Sequence, residues 1–500
     1  MPIRMGPVLH FRGADNNTWQ LSAVVVVDGT DPDLGLAWAF DDKLSQSTSV
    51  QGRLIKSFPN AKDAKAKVLR FDFGIAQTAS EQQIFYRYGL ADVHSCFVPP
   101  AGKPPQMAYA SCNGFSDPKL MKKVKDQNGL WKDLAAKHGS HHYHLMLLGG
   151  DQVYSDSIWV EVPRLKAWCE LDWSQRVKAK FAPMETAVEQ FYFRTYTERW
   201  SHPEPAKMLA SVPSMMMWDD HDIFDGWGSY PQAQLESDVY QGIFRIAREY
   251  FRVFQLAIGP NETRPGTLNG QQQFSFAHQV GGIGILALDM RSERSEEQVM
   301  SLASWDAARD WMNALKDCRH LLVLSSIPVV HPDFSAVEKL LGFLPGQQEL
   351  EDDLKDHWNS RPHRQERLRF IHRLFDLSAA KHCRITLLSG DVHVAAVGVL
   401  QSDRTDAPAN ARVINQLTSS GIVHPAPPGM VLYFLESVGG QVETVDRGIT
   451  AEMLEFPATR HRFIGARNWL GLEPDDSNRI WANWYVEGEG RPYTKAVHAV

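Results

Sequence analysis

The hydrophobic pattern of the chain changes near residue 105. Before it, short runs rich in β-branched and aromatic residues, such as LSAVVVVDG and QQIFYRYGL, are separated by Gly, Asp and Pro. This pattern predicts a small antiparallel β domain or sandwich. The segment Phe97–Pro105, FVPPAGKPP, is rich in Pro and Gly and is interpreted as a linker. We therefore expect an N-terminal β domain over residues 1–105 and a second domain over residues 106–500.

After residue 105, apolar runs alternate with longer segments of helical periodicity. Helices are predicted over Gln232–Leu256, Leu302–Cys318 and Gln365–His382. The apolar runs are continuous, which is typical of strands buried on both faces by helices. Several of them end abruptly in polar residues, namely MAYA, YHLMLLGG, SMMMW, IGILAL, HLLVLSSIP, RITLLSG and RVINQLTSSG. This alternation predicts an α/β fold with a ligand site beyond the carboxyl ends of the strands.

One of these strand ends is strongly acidic. The run SMMMW leads into Asp219, Asp220, His221 and Asp222, and a Gly-rich turn follows. Three carboxylates beside a histidine would repel one another in a low-dielectric site unless cations, most simply metal ions, compensate them. The same residues could instead begin a helix, because Asp suits the cap and the first turn.

Two further strand ends offer metal ligands. Two glycines precede Asp151 in GGDQVYSD and allow close backbone approach, so that this carboxylate could bridge two cations. Tyr154 reaches the same point if the chain turns into a helix; otherwise Tyr154 is a core residue and Asp156 a helix cap. Asp391 and His393 lie two apart after RITLLSG and so point to the same side of an extended segment. A carboxylate and an imidazole suit Zn, Fe or Mn.

The cysteines contribute one more candidate. The five of them are too sparse, and odd in number, for a disulfide framework. Cys112, between Ser111 and Asn113, follows the MAYA strand, and its thiolate would favour Fe or Zn, whereas Asp220 among other oxygens would suit a hard ion. Two chemically different metals are therefore plausible. The alternative for Cys112 is inert burial.

Composition narrows the classes of function. The net charge of −7 and the lack of a basic block argue against a nucleic-acid polymer as partner. No stretch approaches the roughly 18 to 20 apolar residues of a membrane span, and no signal peptide is evident, so we expect a soluble, cytoplasmic protein. The nucleophile elbow G-x-S-x-G, the phosphate loop G-x-x-x-x-G-K-[ST] and the H-E-x-x-H zinc motif are missing. Among the catalytic sites considered, a hydrolytic metal site is the one that the sequence still allows.

The motifs S-C-N, G-G-D-Q-V-Y-S-D, W-D-D-H-D and S-G-D-V-H, in this order, resemble those of the PhoD-like alkaline phosphatases, a branch of the calcineurin-like metallophosphoesterases. The resemblance covers about Met107 to Gly440. It implies a four-layer α/β/β/α sandwich with two mixed sheets, preceded by a small all-β domain. S-C-N and G-D-V-H stand where the wider superfamily has D-x-H and G-H-x-H, and both changes are those of the PhoD branch.

The resemblance also implies a set of metal ligands. An iron site would be formed by Cys112, Asp151, Tyr154 and Asp391. A neighbouring site, calcium in characterised members, would use Asp151 as a bridge. That second site could add the ligands Asp220 and His393. Zn, Mn or Mg are alternatives to calcium. No twin-arginine export signal of the kind that secreted members carry is found.

The expected activity is hydrolysis of a phosphate mono- or diester of a small molecule at a dinuclear metal site. The resemblance implies that His221 contacts the phosphate and protonates the leaving oxygen, with Asp219 and Asp222 in supporting or capping positions. Arg291 could neutralise a phosphoryl oxygen, or form a structural pair with Asp289. The alternative is a binding or scaffold protein that keeps this fold without catalysis. Because nearly every expected ligand is present, the sequence argues against that alternative.

Overall fold

The computed structural model describes residues 3–29, 34–58, 66–270, 273–332, 358, 363–457 and 459–500. These residues form a mixed α/β fold with two large sheets and a leading β-rich region. Among them, no helix is both long enough and apolar enough to cross a membrane.

The bounds of the strands and helices in these ranges are as follows. The strands are β1 (Ile3–Asp15), β2 (Thr18–Asp28), β3 (Leu36–Ala39), β4 (Thr48–Val50), β5 (Arg53–Phe58), β6 (Ala66–Ala76), β7 (Gln82–Tyr88), β8 (His94–Val98), β9 (Met107–Ala110), β10 (Leu145–Gly149), β11 (Ser214–Met217), β12 (Phe276–Val280), β13 (Ile283–Ala287), β14 (His320–Leu324), β15 (Arg384–Ser389), β16 (Ala395–Ser402), β17 (Val413–Ser419), β18 (Glu443–Asp446), β19 (Ile449–Leu454), β20 (Phe463–Ile464), β21 (Asn468–Pro474), β22 (Arg479–Val486) and β23 (Tyr493–His498). The helices are α1 (Pro118–Lys123), α2 (Gly129–His141), α3 (Ile158–Glu161), α4 (Pro163–Cys169), α5 (Trp173–Arg176), α6 (Glu185–Trp200), α7 (Pro203–Ser211), α8 (Gln232–Leu235), α9 (Asp238–Phe254), α10 (Leu302–Ala314), α11 (Arg364–Lys381) and α12 (Gly429–Gly439). Short 3₁₀ turns lie at Asp220–Asp222 and Ala409–Arg412.

The first large sheet has ten strands in the order β23-β22-β21-β9-β10-β11-β1-β2-β6-β5. Its centre is parallel, because β9, β10, β11 and β1 run in the same direction. Strand β1 meets β11 at His10 and Ser214, so strands from the N-terminal region continue the sheet of the central region. A smaller sheet, β4-β3-β7-β8, completes the leading β-rich region. The domain boundary at residue 105 stays a prediction.

The second large sheet follows the order β12-β13-β14-β15-β17-β16-β19-β18, and β20 pairs with β16. Strands β13, β14, β15 and β17 are parallel, and antiparallel strands flank them. Both large sheets are therefore mixed.

The side chains of the second sheet alternate between two cores. Leu322 and Leu388 pack in the core that the two sheets share. Their neighbours Val323 and Leu387 pack on the other face, against α10 and α11. On the far side of the first sheet, α6 and α7 contact β1. This alternation explains the continuous apolar runs, since a strand between a sheet and helices is buried on both faces. The layers are helix, sheet, sheet and helix, as the fold prediction states.

The predicted helices form with shifted ends. Gln232–Leu256 is divided into α8 and α9, because the Ser237 side chain accepts a hydrogen bond from the Tyr240 amide and begins a new helix. Leu302–Cys318 ends earlier, at Ala314. Gln365–His382 corresponds to α11, which stops where His382 adopts a left-handed φ of 50°.

Candidate metal centre

The predicted ligands follow the carboxyl ends of parallel strands in both sheets. Cys112 follows β9, Asp151 follows β10 and Asp391 follows β15. The two sheets approach closely here, because a Cβ added at Gly390 would lie 2.5 Å from the Ser111 Cβ. The strand ends of the two sheets thus meet at one place, as expected for the ligand site of an α/β sheet.

Four of the predicted ligands have a left-handed backbone. The φ angles are 53° at Cys112, 53° at Asp151, 68° at Asp391 and 54° at His393. Such conformations cost non-glycine residues about 1 to 3 kcal/mol each and cluster at functional sites. At Asp151 this turn takes the place of the helix considered for Tyr154, since residues 151–156 form no helix. Tyr154 nevertheless reaches the centre.

Two groups of buried side chains have the spacing of metal ligands. In the first, ligand atoms of Asp151, Asp220 and His221 lie within 4.8 Å of one another. In the second, the same holds for Asp219, Asp220 and Asp391. Asp220 belongs to both groups, and all of these residues are buried. Sequence analysis assigned Asp219 only a supporting position, and its presence in the second group makes it a further candidate ligand.

Asp151 gives the clearest structural indication of a cation site. Its Oδ1 is buried and has no hydrogen-bond partner among the described residues. Burial, followed by the nearby Cys112 sulfur, raises the pKa of Asp151 well above its usual range. A buried carboxylate oxygen without a partner is costly, and a cation would remove that cost. The residues therefore fit a site for metal ions.

Cys112, Tyr154 and His393 complete the candidate ligand set. The Cys112 Sγ lies 3.5 Å from Asp151 Oδ2, and the Tyr154 hydroxyl lies 3.4 Å from His393 Nε2. Burial raises the pKa of Cys112, while its hydrogen bonds with Ser111 and Ser420 act to lower it. A thiolate and a phenolate beside carboxylates form a donor set suited to iron or zinc.

Asp156 contacts His221 through the Nδ1 atom of the imidazole ring. Nδ1 of His221 lies 2.9 Å from Asp156 Oδ2, and Asp156 Oδ1 accepts the Asp225 amide at 2.8 Å. Burial acts to lower the pKa of His221, but the carboxylates of Asp156 and Asp220 outweigh burial and raise it well above the usual value. The other ring nitrogen, Nε2, is left for the site. Sequence analysis assigned Asp156 only a helix cap, although its position five residues after Asp151 could have signalled it.

Asp222, the last acidic residue of the cluster, accepts hydrogen bonds from backbone amides. Asp222 Oδ1 accepts the amides of Gln152 at 3.0 Å and Val153 at 3.1 Å, and Oδ2 accepts the Asp219 amide at 2.9 Å. Burial raises the pKa of Asp222 to about 7. Asp222 thus has the capping position that the sequence suggested.

Arg291 is fully buried beside the acidic cluster. Its guanidinium forms ion pairs with Asp219 and with Asp220, whose Oδ1 lies 3.2 Å from NH2. Asp289 instead accepts the backbone amide of Arg291 at 3.1 Å and the Trp218 indole at 2.8 Å. Arg291 is therefore positioned to balance the negative charge of the cluster, and a contact with phosphate stays a prediction.

The loop after β17 adds two residues that sequence analysis did not assign to the site. The His424 ring stacks on the His393 ring with 3.6 Å between centroids, and its Nδ1 lies 2.9 Å from the Pro425 carbonyl oxygen. Ser420 lies between Cys112 and His393. The only sequence signal for this loop was His424, the polar residue that follows RVINQLTSSG after two apolar positions.

Comparison with known proteins identifies the family. The family model for PhoD related phosphatase matches residues 106–344 and 342–445, well over half of the chain. The chain belongs to the PhoD-related phosphatases. It is also 28% identical over 573 aligned positions to the uncharacterized protein YGR266W of Saccharomyces cerevisiae, covering 94% of this chain and 81% of the yeast protein.

Two solved structures share the fold of this PhoD-related phosphatase. PhoD superimposes with a TM-score of 0.59 and 12% identity over 99% of this chain and 92% of PhoD. The purple acid phosphatase PPD1 of yellow lupin (Lupinus luteus) seeds superimposes with a TM-score of 0.53 and 10% sequence identity. This match covers 98% of this chain and 74% of PPD1. The predicted family and fold class are therefore confirmed.

Proposed function

We propose that this phosphatase hydrolyses phosphate mono- or diesters of small molecules with two metal ions bound at the strand ends. The observation that carries the proposal is the buried Oδ1 of Asp151, which has no hydrogen-bond partner among the described residues and belongs to a ligand-spaced group with Asp220 and His221. Like charges gathered in a buried site need compensating cations. Family membership supplies the reaction class.

The donor chemistry supports two different ions. Cys112, Asp151, Tyr154 and Asp391 would hold the first, which we propose to be Fe(III). Asp151 would be shared with a second ion, proposed to be calcium, with Zn, Mn or Mg as alternatives. Asp220 and His393 would complete the second site, and Asp219 is a further candidate. Thiolate and phenolate favour the softer or more charged ion, whereas carboxylates accept a hard divalent ion.

When bound, such ions would supply positive charge for the phosphoryl oxygens and lower the pKa of the attacking water. The protein side chains would supply the proton for the leaving oxygen and would position the acidic residues. Asp156 fixes the His221 ring through Nδ1, so Nε2 is the atom that would donate a proton to the leaving oxygen. Arg291 would hold Asp219 and Asp220 in place and limit their mutual repulsion. Burial of the whole cluster strengthens each of these interactions.

The proposal is tested by elemental analysis of protein purified without chelator, together with activity profiling on aryl phosphate monoesters and bis-aryl phosphate diesters. We expect about two metal ions per chain and metal-dependent turnover of at least one ester class. Protein that retains metal but cleaves neither class would favour the scaffold alternative. Protein that turns over esters equally well after exhaustive chelation would contradict the metal-assisted mechanism.

A further inference from the structure

The Ser420 hydroxyl connects two candidate ligands that belong to different segments. Its Oγ lies 3.1 Å from the Cys112 sulfur and 2.9 Å from the backbone nitrogen of His393. Ser420 is completely buried, and Cys112 is 308 residues away in the sequence. One side chain therefore contacts both the sulfur and the turn that carries the imidazole.

Hydrogen-bond chemistry decides the direction of these contacts. A backbone N–H can only donate, so the Ser420 oxygen accepts from His393. A cysteine that binds a metal is a thiolate and has no hydrogen to donate. The hydroxyl hydrogen of Ser420 is then free to point at the sulfur. Ser111 lies 3.4 Å from the same sulfur, but its hydroxyl already contacts the Ser419 carbonyl at 3.1 Å.

The backbone of Ser420 is fixed on both sides. Asn468 donates from Nδ2 to the Ser420 carbonyl at 3.0 Å, and the Asn468 amide donates to the Gly421 carbonyl at 3.1 Å. The following amides of Val423 and His424 donate to the Cys112 carbonyl at 3.3 and 3.1 Å. The loop thus supports the left-handed backbone of Cys112 and holds the hydroxyl against the sulfur.

We propose that Ser420 is a positioning residue that orients the Cys112 thiolate towards a thiophilic metal ion and weakens its electron donation by one hydrogen bond. The inference rests on the proposed metal site, in which Cys112 is a ligand. A hydrogen bond to a ligand from outside the metal's own ligand set tunes both the affinity for the metal and the electronic character of the ligand.

The test uses the full chain reconstituted with cobalt(II), because a thiolate-to-cobalt charge-transfer band in the near ultraviolet reports the sulfur ligand directly. In Ser420→Ala the thiolate loses its hydrogen bond, so we expect the band to move to longer wavelength. We also expect cobalt affinity, measured by competition with a chromophoric chelator, to fall by about 10- to 100-fold. Ser420→Thr keeps the hydroxyl and should restore both values.

Two control variants make the comparison specific. Ser402→Ala removes a buried hydroxyl at the end of β16 away from His393, where it accepts the Arg404 amide at 3.4 Å, and it should leave the band unchanged. Cys112→Ser should abolish the band. If Ser420→Ala does not fold, Ser420→Gly removes the same hydroxyl and should shift the band in the same direction.

The outcomes separate this inference from the proposed function. A wild-type protein that binds no cobalt, or that shows no thiolate band, overturns the proposed metal site and this inference with it. A wild-type thiolate band that Ser420→Ala leaves at the same wavelength and affinity overturns the inference alone. A shift in Ser420→Ala with recovery in Ser420→Thr supports it.

Discussion

Nδ1 of His221 lies 2.9 Å from Oδ2 of Asp156, across 65 positions of sequence. This pair fixes the ring orientation and leaves Nε2 as the nitrogen available to the site. The Tyr154 ring stacks on His221 with centroids 4.3 Å apart and restrains the imidazole further. The pair therefore gives a structural basis for a directed proton donor.

Asp156→Asn should lower kcat by about 10²-fold or more, because the amide neither orients the ring nor supports a protonated imidazole in the same way. The loss should be larger for esters with poor leaving groups, which need the proton most. Steady-state kinetics on a series of aryl phosphates measures this trend. The metal content should equal that of the wild type; equal losses across the whole series would rule out a role in protonation.

Asp151→Asn should abolish turnover and metal retention while the fold survives. The substitution keeps the shape of the side chain but removes the charge that two cations would share. Elemental analysis, kcat and circular dichroism are the three measurements. Asp476→Asn is the matched control, since the Asp476 side chain is 96% exposed and, within the described residues, forms a single ion pair, with Lys103. Full activity in Asp151→Asn would contradict the proposed mechanism.

Gly390→Ala should destabilise the protein and impair the site together. The added Cβ would lie 2.5 Å from the Ser111 Cβ, so the strand ends of the two sheets would have to separate. Overpacking of this kind typically costs about 1 to 3 kcal/mol. Gly490→Ala is the control, because Gly490 lies in an exposed loop and, among the described residues other than its chain neighbours, no atom lies within 4 Å of its added Cβ. Urea unfolding and kcat should change only in Gly390→Ala; a Gly390→Ala protein of native stability and activity would refute the close approach.

His138 and His320 should each make the protein less stable on acidification from pH 6.5 towards pH 4. Burial lowers the pKa of His138 and of His320 from 6.5 to about 4. At these two histidines the unfolded chain binds more protons than the native state, so the stability that they contribute is present above pH 6.5 and is lost as pH falls, whereas Asp222, whose pKa burial raises to about 7, acts in the opposite direction. The contribution is at most about 3 kcal/mol for each histidine.

The histidine effect is measured by urea unfolding at pH 7 and pH 5 after chelator treatment, so that metal release does not contribute. His320→Gln can still donate to the Asn478 carbonyl, which His320 Nε2 contacts at 2.8 Å, and it should show a weaker pH dependence than the wild type. An unchanged pH dependence in this variant would exclude His320 as a source.

Much of the fold follows from local pattern. The continuous apolar runs that become β10, β14 and β15 predict strands buried on both faces, and the polar residues after them predict the edge where the site lies. The pairing of β1 with β11 was not predictable in this way, because it joins segments about two hundred residues apart through a register that local hydrophobicity does not encode.

The candidate site divides in the same manner. The candidate ligands Asp151, Asp220 and Asp391 could be predicted because they follow strand ends. The assignment of Cys112 and Tyr154 as ligands depended on the family resemblance. The contacts of Asp156 with His221 and of Ser420 with Cys112 depend on tertiary approach. Hydrogen bonds across 65 and 308 positions leave no periodic signal in the sequence.

The left-handed turns at Cys112, Asp151, Asp391 and His393 have a consequence for folding. An isolated segment of chain disfavours each of these conformations by about 1 to 3 kcal/mol, and they lie on strands from both halves of the molecule. A nascent or partly folded chain therefore does not present the ligand set. In the proposed site, a metal ion would therefore bind only after both sheets have formed.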